Sequence, residues 1–270
     1  MKKIVMLMLT LVLALTACFA QAEISVSKKD LNITRGLDGN VTNVLVILQD
    51  GDVTDTMMIA SINSRTGRAV MTRLDGNLVL DVMQAGETAL KDVYMLGKEK
   101  SRGLLVASTI NKHLSLNINT YIALDISVLP ELANAVGQLN MPLDIEEGNA
   151  LGLWEGTHGL TGEQILTYVR LRLASDSPAR SRGYDALMQL LYQGLHSGDL
   201  SGMMGLGTKL LKSMDSNLNA LNALTLVSAV QAGDDRRELL LPAQEHITSG
   251  DPLKADTAAM QALLYANLYE

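Results

Sequence analysis

Four arginines, Arg170, Arg172, Arg180 and Arg182, fall within thirteen positions of a stretch that has no lysine from residue 151 to residue 200. A guanidinium is planar and binds an oxyanion through two parallel N–H bonds, whereas an ammonium acts as a point charge. Arginine without lysine therefore points to a grip on phosphate. The whole chain has a formal charge of −7, so this is a local basic site on an acidic protein. If the chain is extended where it leaves its helix, Arg170 and Arg172 point the same way. The alternative is a surface pair bridged to Asp176 or Glu163. Arg180 and Arg182 open the helical pattern of residues 179–196, where free backbone N–H groups also favour an anion; the alternative is ordinary charge at a helix start.

A second group, Asp50, Asp52 and Asp55, follows the apolar run 43–49 (NVLVILQ) in an Asp-Gly-Asp turn. Hard carboxylate oxygens at the end of a buried strand suit magnesium, which keeps several waters and takes one or two protein carboxylates. Asp50 and Asp55 are the metal candidates. Asp52 is read as solvated, and a solvated turn is the alternative for all three.

These residues need a scaffold. Residues 43–49 have the length and continuous apolarity of a buried central strand. Residues 56–63 and 68–74 form two further strands joined by a short Gly-containing turn, a hairpin signal. Residues 78–82 continue as a short strand, and 118–125 (INTYIALD) as another. Helical spacing covers 87–97 and 102–114. A helix is expected over 127–139, with Ser127 as cap and Pro130 in its first turn. Thr161 with Gln164 three residues on makes a capping box for the helix that carries the first arginines. Residues 203–214 and 216–230 are expected to be helical, and the remainder helix and loop. The prediction is an α/β fold: a single three-layer α/β/α domain with a central mixed sheet, its strands mainly in the first half and helices covering the sheet.

Composition narrows the function classes. Apolar residues make up 47% of the chain and aromatic residues only 3%, so the core is aliphatic and methionine-rich. The methionines fill that core or line a pocket for a flexible apolar ligand. His113, His158, His196 and His246 are scattered without metal-ligand spacing, and Trp154 is expected in the core or a pocket wall. Residues 1–22 read as a signal peptide, with Lys2 and Lys3 before an apolar run. Leu15-Thr16-Ala17-Cys18 resembles a lipoprotein box, while Ala20-Gln21-Ala22 fits ordinary signal peptidase. The protein is thus expected to be exported, secreted or lipid-anchored through Cys18. Cleavage after Ala22 removes two of the 22 basic residues and none of the 29 acidic ones, leaving −9. Such a charge repels nucleic acid. Cys18 is the only cysteine, so the exported body has no disulfide.

The order of these segments resembles the LytR–CpsA–Psr family of cell-envelope phosphotransferases. Thr54-Asp55-Thr56-Met57-Met58 is similar to the family's SDTMM strand, and residues 119–137 to its segment ending in lvDalGG. Residues 160–191 (LTGEQILTYVRLRLASDSPARSRGYDALMQLL) resemble its most specific motif, L.G..aL.YvR.R....D..R..RQ..vl..l. Residues 213–241 resemble a later segment containing v.TD.s. The resemblance implies an exported domain that binds a polyprenyl-pyrophosphate-linked glycopolymer, with magnesium at the pyrophosphate and the lipid tail in an apolar pocket. It implies transfer of the phosphoglycosyl group to peptidoglycan, close to a membrane surface. Carried over by position, metal and phosphate roles fall on Asp50, Asp55 and Asp75. The phosphate grip falls on Arg170, Arg172, Arg180 and Arg182.

Several positions depart from the pattern. The family's PRD reads Arg73-Leu74-Asp75, which moves the arginine by one residue and so to the other face of a strand. Arg73 and Asp75, with Arg170, are the catalytic candidates. Asn134 and Gln138 replace an aspartate and a glycine, RQ reads Arg182-Gly183, and Ala179 stands where an arginine is expected. Two readings follow: a transferase, or a non-catalytic module that binds a polyprenyl phosphate or wall polymer. By segment, residues 23–42 are a lead-in, 43–200 the domain core, and 201–270 a helical C-terminal part packed on it.

Overall fold

The computed structural model describes residues 23–173, 182–183, 185–187, 189–190, 193, 214–218 and 236–269, with the side chains of Asp55 and Arg236 outside that description. Strands β1 (Val41–Asp50), β2 (Val53–Asn63) and β3 (Ala69–Leu74) form a meander. A small hairpin of β4 (Val79–Val82) and β5 (Gly86–Ala89) follows, then helices α1 (Leu90–Leu96) and α2 (Arg102–Leu114). Next come β6 (Ile118–Asp125), α3 (Leu129–Val136), β7 (Leu139–Leu143), α4 (Ile145–Leu151), β8 (Gly156–Leu160) and α5 (Gly162–Leu173). The described part of the chain finishes with β9 (Asp215–Ser216), β10 (Arg236–Leu241), β11 (Ile247–Gly250), β12 (Leu253–Ala255) and α6 (Thr257–Leu268).

The central sheet has the order β10-β3-β2-β1-β6-β9. β1 pairs with β6 in parallel and β10 with β3 in parallel, while β2 runs antiparallel to both neighbours. The sheet is mixed, as expected. β1, β3, β6 and β10 all point the same way, so their carboxyl ends line one edge.

Alternation along the strands explains the layers. Leu45 and Ile47 of β1, Met57 and Ile59 of β2, and Tyr121 and Ala123 of β6 share one face. They pack against Leu90 and Val93 of α1, Leu105 and Ile110 of α2, and Met260 and Leu264 of α6 in one core. Leu48 turns to the other face and joins a second core with Leu129 and Leu132 of α3, Ile165 and Val169 of α5, and Leu187 and Leu190. With helices on both faces the domain is a three-layer α/β/α fold, and the buried methionines are core residues.

Some elements differ from the sequence reading. β4 does not extend the central sheet but pairs with β5, which occupies the start of the expected helix 87–97. Ser127 does not cap α3; it lies in a 3-10 turn whose cap is Asp125, and Pro130 sits at the start of α3. Residues 236–255, read as helix and loop, hold β10 to β12. β10 was hidden because Arg236-Arg237-Glu238-Leu239-Leu240-Leu241 has a charged half and an apolar half, with no period-2 alternation. That composition suits an edge strand, with Leu240 exposed. Asp215 and Ser216, at the junction of the two expected helices, form the short strand β9 on β6. The rest of 203–230 lies outside the described residues, apart from 214–218. Among the described residues, no helix is long and apolar enough to cross a membrane.

Candidate functional site

Helix α5 sets the site. Its capping box forms as the sequence predicts: the Gln164 N–H donates to the Thr161 hydroxyl at 3.4 Å, and the Thr161 N–H donates to Gln164 Oε1 at 3.0 Å. The buried stripe of α5 is Ile165, Leu166, Tyr168, Val169, Arg172 and Leu173. Arg170 and Arg172 are both helical, so at about 100° per residue they diverge. They do not point the same way, because the helix does not end before them.

Arg170 is half-exposed and reaches across to the end of β1. Its Nε donates to Asp50 Oδ2 at 2.8 Å and its Nη2 to Asp50 Oδ1 at 2.7 Å. Asp125 ends β6 alongside, its Oδ2 accepting the Gly51 N–H at 3.2 Å and its Oδ1 the Ser127 N–H at 2.8 Å. Partial burial raises the Asp125 pKa, but the Ser127 and Gly51 hydrogen bonds and the Arg170 charge outweigh it, and the carboxyl is held below its usual range. The Asp50 hydrogen bonds raise the Arg170 pKa. One guanidinium and two carboxylates thus meet at the carboxyl ends of two parallel strands, where α/β sheets place ligands.

Asp55 lies at the same edge. Leu48 pairs with Thr56 and Gln49 with Thr54, so Asp55 is the extra residue of a β-bulge. Among the described residues, no three His, Cys, Asp or Glu side chains converge on one point. A magnesium ion needs only one or two carboxylates. The donor set fits, since Asp50 keeps lone pairs beyond the two used by Arg170.

The remaining candidates separate. Arg172 is almost fully buried. Its Nε donates to Glu147 Oε1 at 2.6 Å, and its Nη2 to Asp144 Oδ2 at 2.8 Å. Arg182 joins the same carboxylates, with Nη1 2.9 Å from Asp144 Oδ2 and Nη2 2.6 Å from Glu147 Oε2. Glu147 is wholly buried and also accepts the Asp144 N–H at 2.7 Å, closing the capping box of α4. Burial tends to raise the Asp144 pKa, but the Glu147 N–H and both arginines hold it below normal. Burial pushes the neighbouring Tyr168 phenol up, to about 12. Gly183, where the family has glutamine, faces Arg172: a Cβ there would stand 3.0 Å from Arg172 Cβ.

Arg73 sits on β3 opposite Met58 and Leu240. It therefore projects from the second sheet face, away from the core that holds Leu74 and Met57. Asp75 shapes the turn after β3: its N–H donates to the Leu241 carbonyl at 2.8 Å, and its Oδ1 accepts the Asn77 N–H at 2.8 Å. It is two strands away from Asp50, roughly 10 Å at the usual strand spacing. Arg180 and His196 lie outside the described residues. Asn134 and Gln138 line a small cleft of about 200 Å³ with Thr161 and Gly162.

The sequence reading missed Asp125, Asp144 and Glu147. Asp144 and Glu147 had a signal, because Asp-x-x-Glu before a helical run is a capping box. Arg172 had one as well: it stands seven residues after Ile165 and three after Val169, on the apolar stripe, and a cation there requires a buried carboxylate.

Residues 19–264 match the LytR_cpsA_psr family. The chain belongs to the LytR–CpsA–Psr family. Over 183 residues it is 25% identical to Biofilm regulatory protein A of Streptococcus mutans, covering 61% of this chain and 44% of that protein. Over 145 residues it is 28% identical to the polyisoprenyl-teichoic acid–peptidoglycan teichoic acid transferase TagU of Enterococcus faecalis, covering 53% and 44%. The LytR–CpsA–Psr chain thus matches less than half the length of either relative. The fold is shared with the LytR-CPS2A-psr family protein YwtF (TagT) with bound octaprenyl pyrophosphate lipid. The TM-score is 0.66 at 16% identity, over 91% of this chain and 99% of that one.

Proposed function

We propose that this protein is an exported cell-envelope phosphotransferase that binds a polyprenyl-pyrophosphate-linked glycopolymer at the carboxyl ends of β1 and β6. The observation that carries the reading is Arg170, a half-exposed guanidinium on a rigid helix, held at that edge by the Asp50 carboxylate. An exposed ion pair is worth about 0–1 kcal/mol. A pyrophosphate, with more charge and the same bidentate geometry, can therefore take the guanidinium over. Arg73 supplies a second cation from the sheet face that carries Met58, and Asp75 supports the turn beside it.

In the proposed reaction, an acceptor hydroxyl oxygen attacks the phosphorus that bears the glycan. The bond to the polyprenyl phosphate breaks, and the hydroxyl proton ends on that leaving group. Such transfer needs positioning and charge neutralisation more than covalent help. Arg170 would hold the phosphate oxygens in line, and Asp50 and Asp55 would hold magnesium. When bound, the ion neutralises charge on the pyrophosphate. The acceptor is peptidoglycan, and the protein is secreted or lipid-anchored through Cys18.

The second reading, a binding module without turnover, draws on Arg172 and Arg182. Both are committed to Asp144 and Glu147, which leaves fewer cations for a transition state.

The test uses the chain from Glu23, with octaprenyl pyrophosphate titrated by calorimetry with and without magnesium. Saturable binding that Arg170→Ala abolishes is expected; equal affinity in the folded variant would sink the assignment. Asp55→Ala is expected to remove any magnesium dependence. Phosphoglycan transferred to peptidoglycan separates the enzyme from the module.

A further inference from the structure

Trp154 is the only tryptophan of the chain. It is 73% exposed, not part of the core or a pocket wall as its type suggests. It stands between α4 and β8 on a fixed backbone. The His158 Nε2 donates to the Trp154 carbonyl at 2.9 Å. The two rings meet edge to face, with centroids 4.7 Å apart. The Leu153 N–H donates to the Gly148 carbonyl at 2.8 Å. A Cβ at Gly148 would come within 2.9 Å of the Trp154 carbonyl carbon, so only glycine lets the loop lie this close to α4.

An indole so braced and so exposed forgoes the burial that normally stabilises it, which is the mark of a contact surface. Ile145, at the start of α4, is 67% exposed. One acidic residue, Glu155, follows the ring directly in sequence and is exposed; Glu146, on α4, faces Arg172 instead, its Oε2 3.5 Å from Arg172 Nη1. An exposed carboxylate beside the ring disfavours an anionic headgroup at this spot. Carboxylates do accept hydrogen bonds from hydroxyl groups. A neutral sugar ring offers both complements, an apolar C–H face for the indole and a hydroxyl rim for the Glu155 carboxylate.

We propose that Trp154 is a stacking platform for neutral sugar rings of a glycan strand, with the adjacent Glu155 accepting from a sugar hydroxyl. Combined with the proposed transferase reading, on which this last step rests, that strand is the acceptor.

The single tryptophan makes the test direct. Its fluorescence in the purified protein is followed while the tetramer of N-acetylglucosamine is added, and a saturable blue shift is expected. Calorimetry with Trp154→Ala should show at least about tenfold weaker binding, equivalent to roughly 1.4 kcal/mol, with circular dichroism confirming the fold. Trp154→Phe should retain part of the affinity. Arg170→Ala should keep the glycan response while losing octaprenyl pyrophosphate, so failure of either site is seen separately. No spectral change on adding the tetramer overturns the proposal. A blue shift with phosphatidylglycerol vesicles and none with the tetramer also overturns it, in favour of a bilayer contact.

Discussion

Arg170 and Arg172 carry the same guanidinium two positions apart and meet opposite surroundings. Arg170 pairs with Asp50 in water, where screening and side-chain entropy leave an ion pair little net value. Arg172 pairs with Glu147 inside the protein, where removal of one partner strands a charge that water cannot reach. The two should separate in urea denaturation. Arg170→Ala is expected to change stability by less than about 1 kcal/mol. Glu147→Ala is expected to cost about 3–5 kcal/mol. Equal losses in the two variants would mean that the buried cluster does not anchor α4 and α5.

At the scale of elements, β1, β6 and α5 bring the site together, and β9 braces β6 from its outer edge. β9 is only two residues long, so its ladder bonds are few. Side chains do the rest. The Asp215 carboxylate accepts from the Tyr94 hydroxyl at 2.9 Å and from the Tyr121 hydroxyl at 2.8 Å, tying β9 to α1 and β6. Burial first, then the Asp215 charge and hydrogen bond, push both phenols well above their usual range. Hydrogen bonds to a charged group are worth about 1.5–3 kcal/mol. Tyr121→Phe is therefore expected to destabilise by roughly that amount, and to speed amide exchange at Ile122 and Ala123. Unchanged exchange would show that β9 is held without the tyrosines.

For the whole molecule, acid stability tests the carboxylates. Asp125 and Asp144 both have folded pKa values below their unfolded value of about 3.9. Their contribution is fully present above that value and is lost as pH falls through the lower folded pKa. The protein is expected to lose stability below about pH 4, and Asp144→Asn should flatten that decline; an unchanged acid profile would deny Asp144 the role. The sequence by itself determined the local pieces: the apolar runs of β1 and β6, the Thr161–Gln164 cap, the helix α2, and the motifs that match the family. Each rests on interactions between near neighbours, which a linear pattern records. The tertiary structure decided what spacing could not. Glu147 meets Arg172 from 25 residues away, and Asp50 meets Arg170 from 120. Which arginine is buried with a carboxylate and which is left at the edge depends on how α5 packs against its neighbours. The same holds for Trp154, whose type suggests burial and whose exposure follows from the close approach of its loop to Gly148.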